Sequence, residues 1–215
     1  DKHYLRVAGI VAELNADTNM IASALLHDAV MDGDLSLDEV REEFGDNIAD
    51  LIDNLVKLRR IKLNDYNESS SIYLRKVLVG ISEDVRVLII KLADRLDEMR
   101  NAEGMSEEDK KQIANETMNV LIPIAHRLGI NSIKSELENL CLLFTKPDVY
   151  NDILEKLDGT REELADSLDE MQNSIMEILT EHGINFKIKS RVKSVYSIYN
   201  KLTTGKKWSD IYDIL

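Results

Sequence analysis

The sequence of 215 residues has little that bends or cross-links a chain, with two prolines, nine glycines and one cysteine. So few chain breakers favour a mostly helical protein. The single cysteine, Cys141, excludes an internal disulfide, and its place in the apolar run LCLLF indicates a buried thiol in a reducing cytoplasm. No apolar run approaches the ~20 residues that a membrane-spanning helix needs, so no membrane partner is expected.

Basic residues are also scarce, since 27 Lys and Arg stand against 40 Asp and Glu and the net charge is -13. A chain this acidic repels a phosphate backbone, so direct DNA binding is not expected unless a basic patch is segregated. The hydrophobic share of 44% is enough for one large domain, or for one domain plus part of another.

Apolar residues recur at helical spacing along most of the chain. Asp17 or Thr18 is expected to cap one helix, Ser36 to cap a short helix that Gly45 ends, and Asp46 to begin another. The stretch DVRVLIIKLADRLDEMRN is apolar on more than one face, which predicts a central buried helix. It is followed by a predicted loop, AEGMSEED, and a long helix that Gly129 ends. Further helices are predicted at about 71–81, 132–144, 147–157 and 160–182.

The polar residues 59–70 predict a mobile loop. The composition and periodicity of the sequence change near residue 183. After Gly183, the stretch FKIKSR alternates as a strand does, and the residues beyond it are basic. The sequence therefore predicts about 180 residues of helical domain, followed by the first strand and helix of a second domain that is incomplete at IYDIL.

A His–Asp pair, His27 and Asp28, ends an apolar helix, and Asp94 lies inside another. A buried carboxylate needs a cation or hydrogen bonds, so Asp94 either pairs with Arg95 or another arginine, or binds a metal ion. One metal would satisfy all these groups, and imidazoles together with carboxylates suit Mn²⁺, Fe²⁺ or Zn²⁺.

The order H…HD…D resembles the HD phosphohydrolase superfamily. The surrounding sequence is similar to one branch of it, the RelA/SpoT homologues, which make and destroy the alarmone (p)ppGpp of the stringent response. The segments that carry the resemblance are, in family order, HYLRVAGIVAEL, ALLHDAVMDGDLSLDEVREEFG, VRVLIIKLADRLDEMR, IPIAHRLGINSIKSELENL, IKSRVKSVYSIYNKL and DIYDIL.

The resemblance implies an all-α HD domain over 1–145, linking helices over 146–183, and over 184–215 the beginning of an α/β synthetase (GTP pyrophosphokinase) domain. It implies Mn²⁺ as the cofactor and a guanosine polyphosphate as the substrate, with removal of the 3′-pyrophosphate to give GDP or GTP plus pyrophosphate. The implied metal ligands are His3, His27, Asp28 and Asp94.

Two parts of the family pattern are altered here. The motif HD-x-x-ED has Met31 in place of its Glu, and a thioether cannot relay a proton, so Asp32 is the remaining acid/base candidate. After Asp94 the family's His-Asn is Asp97 and Glu98, and its Thr is Asn101. On the family pattern, the substrate pocket includes Arg95, Glu98 and Asn101, and a carboxylate facing a polyphosphate weakens binding.

In the basic tail, Arg191, Lys193 and Lys201 match a family stretch that holds ATP phosphates in the synthetase domain, although Ser190 and Val192 replace the family's Gly and Pro. The alternative is a solvated helix face. On the resemblance, the partner of this tail is the remainder of the synthetase domain, whose acidic catalytic residues would follow Leu215.

Three functions stay open at this point. The chain is a (p)ppGpp hydrolase domain weakened by the loss of the motif Glu, or a degenerate HD domain that regulates an attached synthetase, or an HD phosphohydrolase retuned to another nucleotide.

Overall fold

The computed structural model describes residues 2–60, 84–188 and 193–211, with the side chains of residues 59–60 and 161–168 excepted. The predicted helix at 71–81 and most of the predicted loop at 59–70 lie outside these ranges. Residues 59 and 60 of that loop instead end a helix. The chain forms two compact units, Asp1–Cys141 and Leu142–Leu215.

The first unit opens with four helices: α1 (His3–Glu13), α2 (Thr18–Met31), α3 (Leu37–Phe44) and α4 (Asp46–Arg60). Their ends follow local rules. The Asp17 side chain accepts a hydrogen bond from the Met20 N–H, and Ser36 forms a reciprocal capping box with Glu39. Gly45 has a φ of 87°, which favours glycine and ends α3. The predicted caps and turns of this region are confirmed.

Helix α5 (Val85–Arg100) is the central helix of the first unit and packs against α1, α2 and α4. The residues Val87, Ile90, Leu92, Leu96 and Met99 are all buried along it. These buried residues are spread around more than half of the circumference of the helix. The prediction of a central buried helix is therefore confirmed. Asp94 and Asp97 lie about one turn apart and therefore share a face of this helix. That face is directed at α1, since both carboxylates contact His3.

Beyond α5 the predicted loop is shorter than expected. Ser106 caps helix α6 (Glu107–Glu116), so the last residues of AEGMSEED are helical. The acidic first turn of α6 favours this early start because carboxylates stabilise a helix N-terminus. A π-helical segment (Thr117–Leu121) leads into α7 (Ile122–Arg127), and Gly129, with a φ of 71°, follows as predicted. Helix α8 (Asn131–Thr145) comes next.

The second unit contains α9 (Pro147–Glu181), a single helix of 35 residues, and α10 (Val195–Thr203). The prediction of two helices, 147–157 and 160–182, is therefore wrong. Gly159 lies inside this helix without ending it, because a glycine in a helix interior costs only ~1 kcal/mol relative to alanine. Ile153 and Leu157, on the part of α9 before Gly159, are buried in the core of the unit. The core of the unit is completed by Leu142, Val195, Ile198 and Ile211.

Gly183 ends α9 with a φ of 65°, as predicted. Residues 184–188 form neither helix nor strand, and the rest of the predicted strand lies outside the described residues, so the strand stays a prediction. The described part of the chain is all-helical. None of its helices combines the length and apolar character needed to cross a lipid bilayer.

Candidate metal centre

Three helices of the first unit bring the predicted metal ligands together. His3 is in the first turn of α1, His27 and Asp28 are near the end of α2, and Asp94 is on α5. Ligand atoms of His3, His27 and Asp28 all lie within 4.8 Å of one another. Asp94 joins through His3, because its Oδ1 lies 2.9 Å from His3 Nε2. Two imidazoles and two carboxylates therefore converge from residues that are up to 91 positions apart.

His27 shows why this cluster fits a cation. The ring is 2% exposed, and its Nδ1 donates to the Ala24 carbonyl oxygen at 2.8 Å. Its Nε2 is buried and has no hydrogen-bond partner among the described residues, although Asp28 Oδ1 lies 3.3 Å away. A neutral ring that donates from Nδ1 leaves a lone pair on Nε2, directed at the cluster. A buried, unsatisfied lone pair beside carboxylates is what a divalent metal would bind.

His3 presents its two nitrogens in the same way. Nδ1 lies 2.6 Å from Asp97 Oδ2, while Nε2 faces Asp94 and lies 3.9 Å from Asp28 Oδ2. The hydrogen bond with Asp94 raises the pKa of His3 to about 9, helped by Asp97 and opposed by burial. In the metal-free protein the ring is therefore protonated at neutral pH, and a metal ion would displace that proton from Nε2.

Asp94 is held by a second cation on its own helix. Burial pushes its pKa upwards, but Lys91 and the hydrogen bond with His3 outweigh burial and keep the pKa of Asp94 well below its usual range. The Lys91 ammonium donates to Oδ2, which leaves Oδ1 for the cluster. Among the described residues, the cations that contact Asp94 are thus Lys91 and His3. The predicted alternative was a salt bridge with Arg95 or another arginine.

Sequence reasoning missed the part that Asp97 plays. The side chain is 2% exposed and accepts hydrogen bonds from His3 Nδ1, from Arg6 Nε at 2.7 Å and from Asn101 Nδ2 at 3.1 Å. Burial raises the pKa of Asp97, but the hydrogen bonds from Arg6 and His3 outweigh it and lower the pKa. Its spacing from Asp94 was the available signal, because residues three apart share a helix face.

Arg95, expected in the substrate pocket, is 5% exposed and directed at α6 and the π-helical segment. Its Nη1 donates to Thr117 Oγ1 at 3.0 Å and to the Ile113 carbonyl oxygen at 3.3 Å, and its Nη2 pairs with Glu116 at 3.3 Å. Glu98 lies 3.0 Å from Arg95 Nε and is partly exposed. Asn101, also predicted in the pocket, donates a hydrogen bond to Asp97, which in turn contacts the candidate ligand His3.

The two residues of the altered HD motif end α2. Met31 is the last residue of the helix and is partly buried. Asp32 follows as the C-cap, with an exposed side chain, and its N–H donates to the Asp28 carbonyl oxygen at 2.8 Å. In the second unit, Lys193 precedes α10 and Lys201 is in its last turn, whereas Arg191 is outside the described residues.

Comparison with known proteins gives this geometry a family. The HD domain family matches residues 2–131. Over 99% of its length the chain is 36% identical to a GTP pyrophosphokinase of Myxococcus xanthus, of which it covers 29%. Over the same share it is 35% identical to the guanosine-3′,5′-bis(diphosphate) 3′-pyrophosphohydrolase of Vibrio cholerae, of which it covers 30%.

A GTP pyrophosphokinase rsh of Brucella ovis is 36% identical over 213 residues, and the chain covers 28% of it. The chain thus spans less than a third of the length of these curated relatives. Their names confirm the resemblance to the RelA/SpoT homologues. On the match over residues 2–131 and the converging His and Asp side chains, the chain belongs to the HD domain family.

Proposed function

We propose that the first unit is a Mn²⁺-dependent (p)ppGpp 3′-pyrophosphohydrolase domain of reduced activity. The observation that carries the proposal is the buried Nε2 of His27, which lies beside His3 and Asp28 and has no hydrogen-bond partner among the described residues. The names of the relatives supply the substrate class, since one of them is a guanosine-3′,5′-bis(diphosphate) 3′-pyrophosphohydrolase. The preference for Mn²⁺ over Fe²⁺ or Zn²⁺ comes from the family resemblance, and the donor set suits all three.

The proposed ligands are His3 Nε2, His27 Nε2 and one carboxylate oxygen each of Asp28 and Asp94. When bound, the metal would supply Lewis-acid polarisation of the phosphoryl group and lower the pKa of water. The Nδ1 atom of His27 donates to the Ala24 carbonyl oxygen, that of His3 contacts Asp97, and Lys91 donates to the second oxygen of Asp94. These contacts preorganise the ligand atoms before any ion enters.

Proton transfer is where this chain is weakened. Met31 carries no proton, so the exposed carboxylate of Asp32 is the proposed acid/base group at the end of α2. Loss of one positioned acid or base typically costs ~10²–10⁴ in rate. We therefore expect slow hydrolysis, with Asp32 compensating in part.

A second function is favoured by the same substitutions. Met31 alters proton transfer, and Asp97 and Glu98 add carboxylates where the family has none, while the four proposed metal ligands are all present. A regulatory HD domain that retained its metal-bearing fold and no longer needed turnover would show the same combination of retained metal ligands and altered catalytic residues. The proposed partner is then an attached synthetase, because several relatives are named GTP pyrophosphokinase.

Several finer assignments are also proposals. We infer that residues 184–215 begin a synthetase domain after linking helices over 146–183, and that Arg191, Lys193 and Lys201 contact ATP phosphates there. On the family pattern we propose that Glu98 and Asn101 contact the guanosine polyphosphate, and a position of Arg95 at the nucleotide is the alternative to its buried contacts with α6 and the π-helical segment. A cytoplasmic location agrees with the buried thiol of Cys141, the one cysteine in the sequence.

The decisive experiment compares the parent chain with Met31→Glu. Each protein is incubated with Mn²⁺ and ppGpp, and GDP and pyrophosphate are separated and quantified. Met31→Leu is the matched control, because it changes the side chain without adding an acid, and His27→Ala reports loss of the metal site. We expect slow turnover by the parent, a rise of ~10²-fold or more in Met31→Glu, and no rise in Met31→Leu.

Turnover absent in the parent and restored by Met31→Glu would support the regulatory function. No turnover in either protein, with Mn²⁺ bound, would contradict the hydrolase proposal for ppGpp. A panel of other nucleoside polyphosphates then tests the retuned-phosphohydrolase alternative.

A further inference from the structure

We propose that Asp97 is a positioning residue that fixes the tautomer and orientation of His3, so that His3 Nε2 faces a divalent cation. The inference rests on the proposed metal site and names a residue at which this chain departs from the family pattern. The inference gives a function to the carboxylate of Asp97, which replaces a histidine of the family pattern. The sequence pattern alone shows only that the family's histidine is absent at this position.

Both oxygens of Asp97 are occupied. Oδ2 lies 2.6 Å from His3 Nδ1, while Oδ1 accepts from Arg6 Nε at 2.7 Å and from Asn101 Nδ2 at 3.1 Å. The side chain is 2% exposed, so these partners replace water. A carboxylate fixed by three donors holds a constant direction, and the ring that donates to it is fixed as well.

The same arrangement occurs at the other imidazole. His27 Nδ1 donates to the Ala24 carbonyl oxygen at 2.8 Å, and its Nε2 is directed at the cluster. At His3 the group that contacts Nδ1 is an anionic side chain from another helix. A carboxylate acceptor makes an imidazole a stronger metal ligand than a neutral acceptor does, which favours metal binding by the partly buried His3.

His3 needs such an anchor more than His27 does. It is the first residue of α1, and Lys2 at the N-cap makes no capping hydrogen bond through its side chain. The contacts of Asp97 with His3 and Arg6 tie this first turn to α5, 94 residues along the chain. Because Nδ1 and Nε2 are on opposite sides of the ring, Asp97 acts behind His3 and is not itself placed as a ligand.

The test measures Mn²⁺ affinity of the full chain by the electron paramagnetic resonance signal of free Mn²⁺. Asp97→Asn keeps the shape and an acceptor without the charge, and Asp97→Ala removes both. Arg6→Gln removes one of the three donors that hold Asp97 and leaves the His3 contact, so it separates the anchoring of Asp97 from its contact with His3. We expect dissociation constants weaker by ~10–100-fold in Asp97→Ala, by less in Asp97→Asn, and in Arg6→Gln by less than in Asp97→Ala.

A second readout is nitrogen-15 imidazole spectra of the Zn²⁺-loaded protein, with His3→Gln used to assign the signals. The parent should show His3 protonated at Nδ1, and Asp97→Ala should lose that signature while circular dichroism in EDTA shows a folded chain. Unchanged affinity and an unchanged His3 signature in both Asp97 variants would overturn the assignment and leave the metal site standing. A parent that binds neither Mn²⁺ nor Zn²⁺ would overturn the metal site itself, and the assignment with it.

Discussion

Replacing Arg95 with methionine is expected to destabilise the first unit by about 3–5 kcal/mol, the usual cost of removing one partner from a buried ion pair. The magnitude follows from what the guanidinium leaves behind. Glu116 would keep a side chain that is only 12% exposed and would lose the cation that faces it. Thr117 and Ile113 would suffer less, because the Thr117 hydroxyl already donates to the Ile113 carbonyl oxygen at 2.7 Å.

The assay is urea denaturation followed by far-ultraviolet circular dichroism. The double variant Arg95→Met with Glu116→Gln is the control, since a neutral amide at 116 removes the stranded charge and should recover most of the loss. Trp208, the only tryptophan in the sequence, reports on the second unit and should show a smaller change if the units unfold separately.

The same variant also tests the alternative position of Arg95 in the substrate pocket. A loss of stability below about 1 kcal/mol, together with a raised KM for ppGpp, would refute the structural role and support the pocket assignment.

Two further predictions concern single residues that are not part of the candidate metal centre. Burial raises the pKa of the Cys141 thiol to about 12, so a disulfide reagent at mildly alkaline pH should leave the native protein unmodified and react once guanidinium unfolds it; rapid reaction of the native chain would contradict this burial. Gly159→Ala should stabilise the second unit by about 0.5–1 kcal/mol in urea denaturation followed by Trp208 fluorescence, because a Cβ there meets nothing within 4 Å and the backbone is helical. A loss of stability would argue that α9 is broken at this glycine, as the sequence alone had indicated.

Local chemistry explains which parts of the fold could be predicted from the sequence. Asp17, Ser36 and Gly45 mark helix ends because their side chains, or the lack of one, act on the nearest backbone groups. The continuity of α9 through Gly159 could not be predicted in this way, because a glycine costs a helix only ~1 kcal/mol and so does not by itself decide whether the helix ends. The π-helical segment, Thr117–Leu121, likewise could not be predicted, because no periodic pattern in the sequence indicates it.

The candidate site divides in the same way. The sequence indicates His27, Asp28 and Asp94 through the apolar helices in which they occur, but it indicates His3 only through the family resemblance. Asp97 was noted only as a departure, since a substitution in one helix does not reveal that it meets an imidazole 94 residues away. Arg95 was placed in the pocket by family position, whereas its contacts lie with α6 and the π-helical segment.

The proposed metal ligands do not by themselves favour either proposed function. Because they come from α1, α2 and α5, a bound ion would join three helices and would stabilise the fold by RT ln(1 + [L]/Kd), which is about 2.7 kcal/mol at a hundredfold excess over Kd. That stabilisation involves neither Met31 nor Asp32, so it benefits a slow hydrolase and a regulatory domain equally. Proton transfer at the end of α2 is needed by the hydrolase and not by the regulatory domain. Comparison of Met31→Glu with Met31→Leu changes that step while leaving the ligands in place, and it therefore separates the two functions where metal affinity does not.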